Sequence, residues 1–442
     1  MWSTWLDPNF LWVLSGSVLL GTSSGAIGAF AVLRKRSLLG DVLAHAALPG
    51  VCLAFMLTGA KELFPLLVGA ALTGYLGVKC IDAITRWSRI KEDTALGIVL
   101  TVFFGIGVML LTAIQHSGAG NQAGLDTFLF GQAASLVGRD VVVIAVAATM
   151  LLLAVALFFK EFKLLCFDRG FGEGLGFPMR QIDNLLMALI VMAVILGLQA
   201  VGVVLMAAML ITPAVAARYW TERLDVMVLL SALFGGLSGM AGAVVSALGP
   251  RLPTGPLIVL AATGIFLISL VAAPRRGLVA KTLRYLGTRR KVARENLLRD
   301  VYEQHELSFD GRGVASDALQ GIELDRVIGE SSSPGRRSRL RVAQALAKEG
   351  LLRLELTGET WICSLTPRGL QAAWDVVRRH RLWELYLTHK ADLKADHVDR
   401  DADDIEHFLT PDLVARLERL LEEHHQGPRI WPSVHPLDEL RR

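Results

Sequence analysis

The chain has 442 residues, 53% of them hydrophobic and 19% charged, with a formal net charge of +4 at pH 7. Its mean hydropathy of +0.47 excludes an ordinary soluble globular protein, while so small and mixed a charge names no class of partner. Cys52, Cys80, Cys166 and Cys363 include no CxxC pair, which argues against a disulfide framework or a structural zinc knuckle.

The charge is unevenly spread. Residues 1–274 hold 16 of the 45 Lys and Arg and 14 of the 41 Asp and Glu. The sequence therefore reads as a membrane part followed by a polar, charge-rich part. The opening "MWSTWLDPNF" has no basic n-region and no small-residue cleavage site, so no removable signal peptide is expected. Trp2, Trp5 and Trp12 fit an interfacial anchor.

A span needs about 20 mostly apolar residues. The hydropathy pattern predicts nine: 10–33, 37–58, 63–85, 94–114, 140–159, 183–198, 200–218, 225–247 and 256–273. Basic residues set the orientation. Arg34, Lys35 and Arg36, then Arg86, Arg89 and Lys91, then Lys160, Lys163, Arg169 and Arg180, Arg218 and Arg223, and Arg275 and Arg276 fall on one set of loops. The positive-inside rule places that set in the cytosol, with the N-terminus outside and the polar tail inside. Stretches such as "LFGGLSGMAGAVVSALG" are rich in small residues, which let helices approach closely in a compact bundle. No segment matches GxxxxGK[ST], so the chain is expected to bind no nucleotide; ATP, if used, is supplied by another subunit.

The second span carries "GDVLAHAALPG", residues 40–50. A charge inside a span costs about 2.5–3.5 kcal/mol on insertion scales. Asp41 and His45 are i, i+4 and share a helix face. A carboxylate with a neutral imidazole suits Mn²⁺, Zn²⁺ or Fe²⁺. Pro49 and Gly50 predict a kink or break, which membranes tolerate where backbone lines a cavity. On chemistry alone, a helix cap at the cytosolic edge is an equal alternative.

"RKRSLLGDVLAHAALPGV", "LDTFLFGQ" at 125–132 and "LQAVGVVLMAAMLITPAVAARYWTERL" at 198–224 together resemble the manganese/zinc/iron ABC importer permeases, over roughly residues 10–274. The resemblance implies that Asp41 and His45 bind the metal in transit. It implies ATPase coupling through "FDRGFGEGLGF", 167–177, with Phe167, Asp168, Gly172 and Gly176. The family usually has Ala where this chain has Gly172, which is expected to loosen the helix there.

Residues 275–290, "RRGLVAKTLRYLGTRR", form a basic linker suited to anionic headgroups. Beyond it, "KVARENLLRDVYEQHE", "IELDRVIGE" and "RRSRLRVAQALAKEGLL" read as three helices, and "RLELTGETWICSLT" as a hairpin turning at Thr-Gly. "PRGLQAAWDVVRRHRLWELYLTH" reads as a long helix. Three helices and a hairpin are the order of a winged helix, whose third helix enters a DNA groove. Arg336, Arg337, Arg339 and Arg341 there are candidate DNA or phosphate contacts, or a solvated face.

Eight of the ten histidines follow residue 300. "LTPRGLQAAWDVVRRHRLWELYL" and "DADDIEHFLT" resemble the metal-dependent repressors of the diphtheria-toxin-repressor and manganese-regulator type, over about 291–421. The resemblance implies a winged-helix-like domain at 291–370 and a helical metal-sensor and dimerisation-like region at 371–442. It implies metal ligands at His380, Glu384, Asp403, Glu406 and His407. The family's first helix adds an acidic or Met ligand where this chain has Asn296 and Arg299, and Arg cannot ligate a metal.

These readings predict a mainly α protein: a polytopic bundle, 1–274, before a cytosolic winged-helix and helical domain. The expected function is the permease subunit of an ABC importer for a divalent transition metal, Mn²⁺ first, then Zn²⁺ or Fe²⁺, in a bacterial inner membrane. It is not itself an enzyme. Expected partners are ABC ATPase subunits, an extracytoplasmic metal-binding protein, a second copy or sister permease, and membrane lipid, with DNA only through the tail. The rivals are a membrane-tethered, metal-responsive DNA-binding regulator and a proton-coupled carrier with Asp41 and His45 as its relay.

Overall fold

The structure is a computed structural model that describes residues 8–34, 36, 38–59, 63–116, 138–249, 252–308, 321–328, 333–358, 360–390 and 411–422. The chain divides into two compact units, Met1–Lys281 and Thr282–Arg442.

The first unit is helical throughout its described residues. Its helices are α1 (Pro8–Leu33), α2 (Leu39–Thr58), α3 (Leu63–Trp87), α4 (Glu92–His116), α5 (Gly138–Leu157), α6 (Phe159–Phe167), α7 (Arg169–Gly174), α8 (Met179–Val201), α9 (Val203–Trp220), α10 (Leu224–Ala247) and α11 (Thr254–Ala272). Among the described residues, eight helices are long and apolar enough to cross a membrane. The expected ninth, 200–218, is the 18-residue helix α9, which stands apart from those eight. Gly202 (φ 87°) separates it from α8.

Close packing of small residues sets the bundle. α1 lies against α10 so tightly that a Cβ on Gly235 would meet the Gly21 carbonyl oxygen at 2.0 Å, and one on Gly21 would meet that of Gly235 at 2.1 Å. With lipid as solvent, such close contact replaces the hydrophobic effect as the force between helices. α2 lies near the centre, with Leu43, Ala44, Ala47 and Val51 buried in the main core. It runs unbroken through Pro49 to Thr58 and ends at Gly59 (φ 62°), so the expected break is not there. Cys52 Sγ reaches the Gly107 carbonyl of α4 at 3.8 Å, and Thr73 of α3 donates to Ala47 O at 3.4 Å.

The second unit follows water-driven rules. It contains most of α12 (Leu278–Ser308), then β1 (Ile322–Glu323), α13 (Leu324–Ile328), α14 (Ser333–Lys348), β2 (Leu352–Thr357), β3 (Thr360–Leu365), α15 (Pro367–Lys390) and α16 (Pro411–Glu422). The antiparallel sheet has the order β1-β3-β2, with Leu354 opposite Cys363 and Glu355 opposite Ile362. Leu297, Val301, Leu346, Leu352 and Val377 fill its core, each contributing about 1.5–3 kcal/mol by leaving water. Helices followed by this hairpin make a winged helix. Two local expectations change: residues 278–290 are helical rather than a linker, continuous with the first tail helix, and "IELDRVIGE" is a two-residue strand and one helical turn.

Candidate functional site

The local sequence puts Asp41 and His45 in the first two turns of α2 rather than at its middle. His45 Nε2 lies 3.6 Å from Asp41 Oδ1, with the imidazole 20% and the carboxylate 43% exposed. The imidazole edge packs on Phe104 of α4, centroids 4.8 Å apart. His45 Nδ1 is buried and has no hydrogen-bond partner among the described residues.

Magnitudes separate the two groups. A carboxylate in a first helical turn gains about 0.3–1 kcal/mol from the helix dipole, so Asp41 alone needs no ligand. The cap position is Leu38, with no side-chain cap bond, so the capping alternative lacks its bond. A buried, unsatisfied ring nitrogen costs about 1–3 kcal/mol, and neither dipole nor cap repays that. Among the described residues no cluster of three or more His, Cys, Asp or Glu could hold a metal.

The basic stretch before α2 is pinned on three sides. Arg34 donates to both oxygens of Asp183 on α8, at 3.0 and 3.1 Å. Arg36 pairs with Glu92 of α4 at 2.8 Å and lies 3.9 Å from Asp82 of α3. Lys79 donates to Asn184 at 2.7 Å. Arg36, Lys79, Asp82, Asp183 and Asn184 border a cleft of about 470 Å³, which Arg86, Trp87 and Arg180 also line. Sequence reading missed Asp183; its signal was a lone carboxylate in an apolar helix, four residues beyond that helix's start.

Asp183 also lies 4.0 Å from Arg169 of α7, inside the predicted coupling segment. There, Asp168 accepts from the Phe171 N–H at 2.9 Å and so starts α7, while Arg169 pairs with Glu173 at 3.0 Å. Gly172 is buried, and a Cβ on it would fall 2.0 Å from Met179 Cε, the flexible end of that side chain. Gly176 turns the chain at φ +85°. Phe167, Phe171, Leu175 and Phe177 are exposed around these residues, giving an apolar surface beside charged Arg169 and Glu173. "LDTFLFGQ" at 125–132 lies outside the described residues.

In the tail, His380 and Glu384 both lie on α15, but the Glu384 side chain, with Asp403, Glu406 and His407, lies outside the described residues. His380 is 5% exposed, and its Nδ1 faces Arg299 Nη1 at 3.2 Å. Arg299 stands 3.8 Å from Glu303. Burial pushes the Glu303 carboxyl up to about 7, against the pull of Arg299 and then His380. Asn296 Oδ1 is buried with no partner among the described residues. On α14, Arg339 pairs with Asp300 (3.4 Å) and donates to the Val327 carbonyl (3.3 Å), with its side chain 43% exposed. Arg341 is exposed, and the Arg336 and Arg337 side chains lie outside the described residues.

The sequence pattern of the ABC 3 transport family matches residues 7–273, and that of the iron dependent repressor, metal binding and dimerisation domain matches 366–433. The chain is 45% identical, over 99% of its length and 98% of the relative's, to the manganese transport system membrane protein MntC of Bacillus subtilis. It is 50% identical to the zinc transport system membrane protein TroC of Treponema pallidum, over 64% of this chain and 93% of that protein. Among solved structures, PsaBC from Streptococcus pneumoniae in complex with Fab matches 60% of this chain and 91% of that one, at 33% identity and a TM-score of 0.54.

Proposed function

The chain belongs to the ABC 3 transport family, and from that premise we propose that it passes Mn²⁺ inward through Asp41 and His45. It is the multi-pass permease subunit of an ABC transporter for a divalent metal and is not an enzyme; ATPase and substrate-binding subunits complete the system. The observation that carries the reading is the i, i+4 pair itself: His45 Nε2 lies 3.6 Å from Asp41 Oδ1, while the buried Nδ1 has no partner among the described residues. Hard carboxylate oxygen with imidazole nitrogen favours manganese, with zinc and iron next. A second copy of the chain, or a sister permease, doubles the pair to the four ligands that one chain lacks. The ATPase docks on 167–177, where Phe171 and Leu175 present apolar surface and Arg169 links through Asp183 to Arg34. The basic loops face the cytosol of a bacterial inner membrane, the N-terminus lies outside, and an external metal-binding protein delivers the ion.

A second reading concerns the tail, favoured by the repressor-type match at 366–433. His380, Glu384, Asp403, Glu406 and His407 would hold a regulatory divalent metal, and loading would restrain uptake. The donor types suit the ion, while the Arg299 guanidinium on His380 does not.

Proteoliposomes containing the permease and its ATPase test the main reading. Manganese accumulation is expected to need ATP, to survive collapse of the proton gradient, and to fall to background in Asp41→Ala and His45→Ala. Uptake that instead collapses with the gradient would mark a proton-coupled carrier; normal uptake by both variants would make the pair structural.

A further inference from the structure

Three consecutive residues of α15 make polar contacts with α12. Arg379 reaches Glu295 at 3.3 Å, His380 meets Arg299 at 3.2 Å, and Arg381 pairs with Glu306. His380 and Arg381 are each 5% exposed, and Arg299 is 12% exposed at its side chain. These contacts sit at the edge of the tail core, next to Val301, Val376 and Val377.

The middle contact has only one proton arrangement. A guanidinium has donors alone and stays charged, so in this contact Arg299 donates and His380 Nδ1 accepts. The ring is then neutral with its proton on Nε2. A divalent ion also needs a ring lone pair. If it binds at Nδ1, it takes the lone pair that Arg299 uses. If it binds at Nε2, the ring proton moves to Nδ1 and confronts the Arg299 N–H groups, donor against donor. Either mode breaks the observed contact. In so buried a place, a fixed positive charge also repels an incoming dication strongly.

We infer that Arg299 is a tethered competitor for metal at His380, a cation built into the chain that holds the imidazole until a divalent ion displaces it. The inference rests on the sensor reading of the tail. It makes metal loading and the Arg299–His380 contact mutually exclusive, so loading removes a polar tie between α15 and α12. The Glu303 carboxyl lies 3.8 Å from the Arg299 guanidinium. Arg299 therefore lowers the metal affinity of the tail, so that the site fills only at high metal concentration.

The test uses the full chain in lipid nanodiscs, with Asp41→Ala and His45→Ala silencing the membrane pair. Free Mn²⁺ is counted by electron paramagnetic resonance during titration. Arg299→Gln is expected to tighten binding about tenfold, within the usual range of coupling between two sites. Arg299→Lys, which keeps the charge but loses the planar fork, falls between. Adding His380→Ala abolishes the gain. Thermal unfolding of each variant without metal identifies any that fails to fold, and the Lys variant then carries the comparison. Equal affinity with and without Arg299, still abolished by His380→Ala, would overturn the competitor while leaving the sensor intact. No His380-dependent binding in any variant would overturn both.

Discussion

Two histidines, one in each unit, face opposite situations. His45 has a ring nitrogen with no partner among the described residues and a carboxylate 3.6 Å from the other nitrogen. His380 is more deeply buried, yet its Nδ1 is held by an arginine. Both lie i, i+4 from an acidic residue in sequence. The contrast teaches that a histidine's remaining hydrogen-bond capacity separates a site ready for an ion from one that must first release something, whereas spacing to a carboxylate does not.

The units also differ in what holds them. The membrane bundle depends on backbone approach between small residues, and the tail on apolar burial crossed by charged pairs. Gly235→Leu should have the largest effect on stability. The added side chain would strike the backbone of α1, which cannot move aside, and a cost of more than about 3 kcal/mol is expected, beyond ordinary overpacking. Separate melting transitions would show the membrane unit lost and the tail unchanged; a joint loss would break the comparison.

Glu303→Gln probes a half-buried carboxyl of the tail. The folded carboxyl titrates near 7 against an ordinary 4.5, so the folded tail holds the extra proton between those values. Its stability therefore falls as pH rises from about 4.5 to about 7 and is flat above. The Gln variant should be more stable than the parent by about 3 kcal/mol at pH 8, with no difference at pH 4. Denaturant melts of the full chain at the two pH values check the sign.

Asp183→Asn tests the link between α7 and the stretch before α2. Arg34 and Arg169 would lose their shared carboxylate. Uptake should fall about tenfold, about 1.4 kcal/mol, while ATP hydrolysis continues. Parallel ATPase and uptake rates measure this uncoupling, and an equal fall in both would argue for simple misfolding. Gly176→Ala is the mildest change. Its backbone at φ +85° costs an L-residue about 1–2 kcal/mol, read as a small drop in ATPase affinity.

Much of this was legible in the sequence because the forces were local or periodic. Apolar runs marked the helices, Thr-Gly marked the β2–β3 turn, and GDVLAH placed Asp41 and His45 on one face. Pro49 misled because a helix packed on α3 and α4 tolerates a lost bond that an isolated helix does not. The Met179 methyl that lies against Gly172 comes from the next helix, which propensity does not reveal. Asp183 with Arg34, and Arg299 with His380, are 149 and 81 residues apart, and no spacing rule reaches that far. The tail resemblance did place Arg299 near a ligand position, but only the fold shows it bonded to His380.

The most direct test sets the two histidines side by side. Cells carrying the permease and its ATPase would be given radioactive manganese at low concentration, with His45→Ala and His380→Ala present in the membrane at equal amounts. The account predicts background accumulation for His45→Ala and parental initial rates for His380→Ala. Uptake kept by His45→Ala and lost by His380→Ala would contradict it.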